Sequence, residues 1–123
     1  MAAPNLRQPT TITGKTATHL LDSTSEKADL IVNAASSGKA LRITSLFVSN
    51  VDGTNNDTIT AEWVDSDGST KAYLAFTVSV PADSVLELAG DSKIVLEASD
   101  KIQLTGGTAS GDLEAFMSIL EIT

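Results

Sequence analysis

Over most of its length this chain places apolar residues at every second position, and any fold it adopts has to satisfy that pattern. Ile59, Ala61 and Trp63 alternate with Thr58, Thr60 and Glu62, and Leu74, Phe76, Val78 and Val80 alternate with Tyr73, Ala75, Thr77 and Ser79. Leu86 and Leu88 flank Glu87, Ile94, Leu96 and Ala98 flank Val95 and Glu97, and Ile102 and Leu104 flank Gln103. In the last segment Leu113, Ala115, Met117 and Ile119 oppose Glu114, Phe116, Ser118 and Leu120. A period of two sends alternate side chains to opposite faces of a sheet, which predicts strands and not helices. Turn formers separate the runs: Asp52-Gly53, Asp67-Gly68, Pro81-Ala82-Asp83, Gly90-Asp91, Ser99-Asp100 and Gly106-Gly107. Their spacing of roughly 8–15 residues is that of a sandwich or barrel.

Two segments depart from simple alternation. Residues 41–51, LRITSLFVSNV, are apolar on both faces around Leu46, Phe47 and Val48, as expected of a strand that is central or covered by another subunit. Ser23-Thr24-Ser25-Glu26 fits a helix capping box, but the apolar run behind it is only Leu30-Ile31-Val32, so a strand over 28–33 is expected there. The total is eight or nine strands, and the predicted fold is all-β, a jelly-roll-like antiparallel β-sandwich.

The first 16 residues read differently. Pro4 and Pro9 block a helix, and Leu6 and Ile12 are isolated apolar residues without alternation. The expected organisation is an extended N-terminal arm over 1–16 and a β-sandwich domain over 17–123. The arm carries Arg7 and Lys15 and no carboxylate, on a chain whose 16 acidic and 8 basic side chains leave a net charge of −8. That charge disfavours nucleic acid and anionic lipid as partners. No apolar run approaches the roughly 20 residues that span a bilayer, and the N-terminal sequence lacks a hydrophobic signal core. With no cysteine, a disulfide framework or thiolate metal site is impossible.

The inventory for chemistry is thin. His19 is the one histidine and falls early in the first strand; no G-x-S-x-G elbow accompanies it. Gly14-Lys15-Thr16 matches the end of a phosphate-binding loop, but the glycine needed five residues earlier is Pro9. Asp65-Ser66-Asp67-Gly68 and the stretch Asp52 to Asp57 are rich in oxygen ligands without the spacing of a calcium loop, so they read as hairpin turns capped by Asp and Asn. No catalytic residue, metal or cofactor is expected. A carbohydrate platform needs exposed rings; of the five aromatics Trp63 shares a face with Ile59 and reads as core, leaving Tyr73 as the exposed candidate.

From Gly38 onward the sequence carries a set of ordered motifs. GKALRITSLFVSNVD spans Gly38–Asp52, YLAFTVSVPADSVLEL spans Tyr73–Leu88, VLEASD spans Val95–Asp100, and SILEI spans Ser118–Ile122. This series resembles small β-sandwich structural proteins of tailed bacteriophages, most closely head decoration (cement) proteins. The resemblance implies a non-enzymatic virion protein on the capsid exterior, a homotrimer bound to the major capsid protein; necks, tails and fibres hold similar sandwiches. A glycan- or receptor-binding module is the alternative outside the virion. Leu6, Arg7, Ile12 and Lys15 are the expected partner-binding residues of the arm. Leu46, Val48, Phe116, Leu120 and Ile122 are the expected oligomer interface, because one core needs only one face of these strands. Removing divalent ions with a strong chelator is expected to leave the melting temperature unchanged; a drop of more than about 10 °C would identify an acidic loop as a calcium site.

Overall fold

The computed structural model describes residues 4–21, 28–65, 67, 69–89, 94–107 and 112–123. The Ser23–Glu26 capping box lies outside them, as do Gly68 and Gly90-Asp91 of the expected turns. Among the described residues the chain forms nine strands and no helix: β1 (Ile12–Leu21), β2 (Ala28–Val32), β3 (Ala40–Asn50), β4 (Asp57–Val64), β5 (Thr70–Val80), β6 (Val85–Glu87), β7 (Ile94–Leu96), β8 (Lys101–Gly106) and β9 (Leu113–Ile122). One sheet, here sheet A, has the order β1-β9-β3-β6, with β7 also on β3; the other, sheet B, has the order β2-β8-β4-β5. Every pairing is antiparallel. Counting β6 and β7 as one interrupted strand leaves two four-stranded sheets, the arrangement of a jelly roll.

The facing sides of the two sheets make the core. Sheet A contributes Ile43, Leu46, Val48, Ala115, Met117 and Ile119, and sheet B contributes Leu30, Ile59, Ala61, Ile102 and Leu104, all nearly solvent-free. Leu46 and Val48 are therefore core residues, not an oligomer interface. The two-faced look of residues 41–51 has a local cause. Leu41 and Ile43 point inward, the pairing with β9 slips between Ile43 and Ser45, and after that irregularity Leu46 and Val48 point inward instead. One extra residue moves the buried set from odd to even positions.

β5 is interrupted in the same way. Ile59 pairs with Val78 and Ala61 with Ala75, so Phe76 and Thr77 together oppose Thr60, and Thr77 takes a left-handed φ of 47° while its amide donates to Thr60 Oγ1. Leu74, Phe76, Val78 and Val80 consequently do not share a face: Val80 is buried, Leu74 is half-buried, and Phe76 and Val78 are exposed.

The N-terminal arm is shorter than expected. Ile12 to Thr16 belong to β1 and pair with Ile122 to Ser118. β1 is an edge strand whose first five residues are exposed, so backbone hydrogen bonds hold it there and no alternation of burial announces it. The arm proper ends at Thr11, where the Thr10 and Thr11 amides donate to the Thr123 carbonyl and the Thr123 amide donates back to Thr11.

Two buried asparagines close the ends of the sandwich. Asn33 Nδ2 donates to the carbonyls of Lys39 and Leu96, and its Oδ1 accepts from Ser37 Oγ. At the opposite end Asn50 Nδ2 donates to the carbonyls of Asn55 and Val80, and its Oδ1 accepts from the Asp52 amide. Each replaces backbone pairing where strands leave the sheet. Asn50→Leu, which strands two carbonyls and one amide, is expected to lower the unfolding free energy in urea by about 2–4 kcal/mol with the fold retained.

Candidate assembly surface

The core is filled from the inner faces, so the outer face of sheet A is the place to look for contact with other molecules. Its rows follow from the register. Leu20, Glu114, Ser49 and Val85 lie across the sheet in one row, and Thr18, Phe116, Phe47 and Glu87 lie in the next. Thr16, Ser118 and Ser45 form the third row, and Gly14, Leu120, Arg42 and Val95 the fourth. Phe47 and Phe116 stack with ring centroids 5.1 Å apart and planes 21° from parallel. An open depression borders this pair, walled by Thr18, Leu20, Ser49 and Glu114. Of the expected interface residues, Phe116 and Leu120 are half-buried on this face. Ile122 is not available, being buried between Ile12 and Ala40 in the ladder.

The arm residues separate into two groups. Leu6 and Arg7 are exposed, beside a turn in which the Gln8 amide donates to the Asn5 carbonyl and the Arg7 amide to Asn5 Oδ1. Ile12 is exposed on the edge of sheet A, 55% open to solvent. Lys15 is engaged within the chain: its Nζ lies 2.6 Å from a carboxylate oxygen of Glu121, which also pairs with Lys39. The hydrogen bonds from these two lysines hold the Glu121 carboxyl below the ordinary glutamate range. A lysine already paired in this way is a poor docking charge even though it is exposed, which leaves Arg7 as the arm's cation outside an ion pair among the described residues.

The acidic turns are occupied by their own backbone. Asp52 Oδ1 accepts from the amides of Thr54 and Asn55, and Oδ2 accepts from Asn55 Nδ2. These bonds, the Thr54 amide foremost, lower its carboxyl below the usual range. Asp65 Oδ1 accepts from the Asp67 amide, and Asp67 Oδ1 from the Ser69 amide. Among the described residues no group of three or more His, Asp or Glu side chains is placed to hold a metal ion. His19 is half-buried in β1.

A second exposed apolar patch was only partly legible. Tyr73 is exposed as expected, and Phe76 joins it edge-on with centroids 4.8 Å apart. The bulge at Thr77 turned Phe76 outward; period two alone put it in the core. Trp63 is half-buried against the core cluster, in keeping with its shared face with Ile59.

No family profile matches this sequence, and no curated protein does. Solved structures do. A subunit from the Bacillus endospore appendages, described as a novel family of disulfide-linked pili, is 14% identical with a TM-score of 0.54, over 100% of this chain and 96% of that one. The fold is a β-sandwich of the jelly-roll kind. A chain of infectious bursal disease virus, Gx strain, is 13% identical with a TM-score of 0.46, over 93% of this chain and 33% of its own length. The CBM22-1 xylan-binding domain of Paenibacillus barcinonensis Xyn10C is 13% identical with a TM-score of 0.36, over 90% of this chain and 85% of that domain. At such identities the pilus subunit supports the fold and nothing finer. Its disulfide linkage has no counterpart here, since this chain has no cysteine.

The Lys15–Glu121–Lys39 cluster has a pH signature. A carboxylate whose folded-state pKa is depressed adds stability that is complete above the unfolded value and is lost as pH falls through the folded value. Glu121→Gln is therefore expected to destabilise by about 0.5–1 kcal/mol at pH 7, the small size reflecting solvent screening of partly exposed lysines. Melting curves of the two proteins should converge as pH drops below the ordinary glutamate value of 4.5.

Proposed function

We propose that this chain is a structural protein of a bacteriophage virion, a cement protein that binds the major capsid protein on the outer lattice and performs no chemistry. The observation that carries the reading is the outer face of sheet A. A domain whose core is already closed keeps a stacked Phe47–Phe116 pair, Leu20 and Leu120 on its outside, a face that fits a subunit in contact with other protein. The ordered motifs from Gly38 to Ile122 add the phage resemblance, and the net charge of −8 suits a coat that must not adhere to other particles. Turn aspartates capped by their own loops support a binding role over an enzymatic one.

The physical task is modest at each site. A protein that binds only the closed lattice shifts its stability by about 2.7 kcal/mol per site at a hundred times the dissociation constant, and the lattice repeats the site many times. The arm supplies the attachment in this reading, Leu6 entering a shallow pocket and Arg7 meeting an acidic patch. The exposed Tyr73–Phe76 pair is the feature that favours a glycan-binding alternative, though its rings lie at 70° and present no common plane for a sugar. Cryo-EM of intact particles carrying the protein should place its density on the head; density confined to neck, tail or fibres overturns the capsid assignment. Deleting residues 1–9, which spares the Thr10–Thr123 clamp and β1, is expected to leave the melting temperature unchanged. It should weaken attachment to undecorated heads by about tenfold or more, the worth of one apolar anchor and one charge-assisted contact.

A further inference from the structure

The rows of the outer face of sheet A have a relief that repeats in reverse. Phe116 and Phe47 make a ridge across β9 and β3. Two residues along each strand, Ser118 and Ser45 make a trough of small side chains, continued by Thr16 on β1 and bordered by the exposed Thr44, whose hydroxyl donates to the Ser118 carbonyl. Midway between ridge and trough runs the row Ala17–Met117–Leu46. Three residues to one side of it lie Leu20 and Glu114; three residues to the other lie Gly14 and Leu120, with Arg42 in the same row, four residues from Leu46 across the irregularity at Thr44.

We propose that this face binds the same face of a second copy of the chain, about a two-fold axis that lies in the interface and crosses β9 at Met117. The rotation lays each strand antiparallel over its own counterpart. It sets Phe116 of one copy over Ser118 of the other, Phe47 over Ser45, and Leu20 over Gly14. Leu20, Phe116 and Phe47 each meet a small residue, Leu120 lies over Glu114, and each contact occurs twice, as an isologous interface requires.

Two independent features point to the same occupant. Gly14 has no role inside the molecule: a Cβ built there meets no atom within 4 Å, and its φ is not in the left-handed range. Glycine inside a strand costs roughly 0.5–1 kcal/mol against alanine, and where nothing internal demands it, it marks the close approach of another chain. Charge is the second feature. Arg42 and Glu114 are both exposed and neither has an ion-pair partner among the described residues. The rotation brings Arg42 of one copy over Ser49 of the other, displaced sideways by one strand spacing, about 5 Å, from Glu114, a gap that two long side chains can close across facing sheets. A face of four strands by seven residues covers roughly 400 Å² per copy, at the low end for a specific contact, so the dimer should be concentration-dependent. The contact rests on the cement reading only in assigning this face to assembly. It replaces the expected trimer with a two-fold, because a self-complementary patch closes on itself in pairs.

Sedimentation velocity from about 1 to 300 μM, the range for a small interface, should show a reversible monomer–dimer equilibrium in the wild type. Gly14→Leu, which has room to fold, should weaken it about tenfold or more by filling the seat of Leu20. Arg42→Glu and Glu114→Arg should each weaken it by a similar factor, and the double variant should return to within about threefold of wild type because the two-fold regenerates both pairs. A wild type monomeric throughout, a trimer indifferent to Gly14→Leu, or a double variant no better than the singles overturns the contact. A monomer that still decorates heads removes this dimer and leaves the cement reading standing, and a dimer that binds no head does the reverse.

Discussion

β9 holds two long strands in place at once. On one side it pairs with all of β1, and on the other with nearly all of β3, while its inward side chains Leu113, Ala115, Met117 and Ile119 fill the core. β3 in turn carries β6 and β7 on its far edge. The C-terminal strand thus joins the N-terminal strand to the middle of the chain, and sheet A closes only once the last residues are in place. Such pairings between distant segments make the topology slow to form compared with a meander. They also explain why the exposed first half of β1 stays ordered with little burial of its own.

That dependence governs what the sequence could disclose. Strands β8 and β9 and most of β4 were legible because one side faces a full core and the other faces solvent, so period two survives intact. Two kinds of residue misled. Leu46 and Val48 followed the slip near Ser45, and Phe76 followed the bulge at Thr77; a single added residue reverses the faces without leaving any compositional trace. Ile12 to Thr16 misled for the opposite reason. An edge strand held by its backbone needs no apolar pattern, and the only signal for it lies in β9, more than a hundred residues away.

The candidate surface was legible in part for the same reason. Phe116 and Leu120 were found because they oppose the buried set on a regular strand, whereas Phe47 was hidden among apolar neighbours until the register separated them. The role expected of Lys15 failed on a partner that local sequence cannot show, Glu121, which meets it only across the β1–β9 ladder. In the sequence Gly14 read only as part of an incomplete phosphate-loop pattern, since its interest lies in the empty space around it, which the fold alone reveals.

The left-handed residue at Thr77 has a consequence for crowding. β5 is a free edge of sheet B, eleven residues long, and exposed edges of that length are templates on which other chains can extend a sheet without limit. A β-branched residue at positive φ is an unusual conformation, and here it breaks the row of edge amides and carbonyls three residues before the end of the strand. A neighbour attempting to add itself would find three residues beyond the kink, and before it a seven-residue run whose pairing with β4 is itself irregular between Ala75 and Tyr73. That irregularity acts as a guard against growth of a fibrous sheet along this edge.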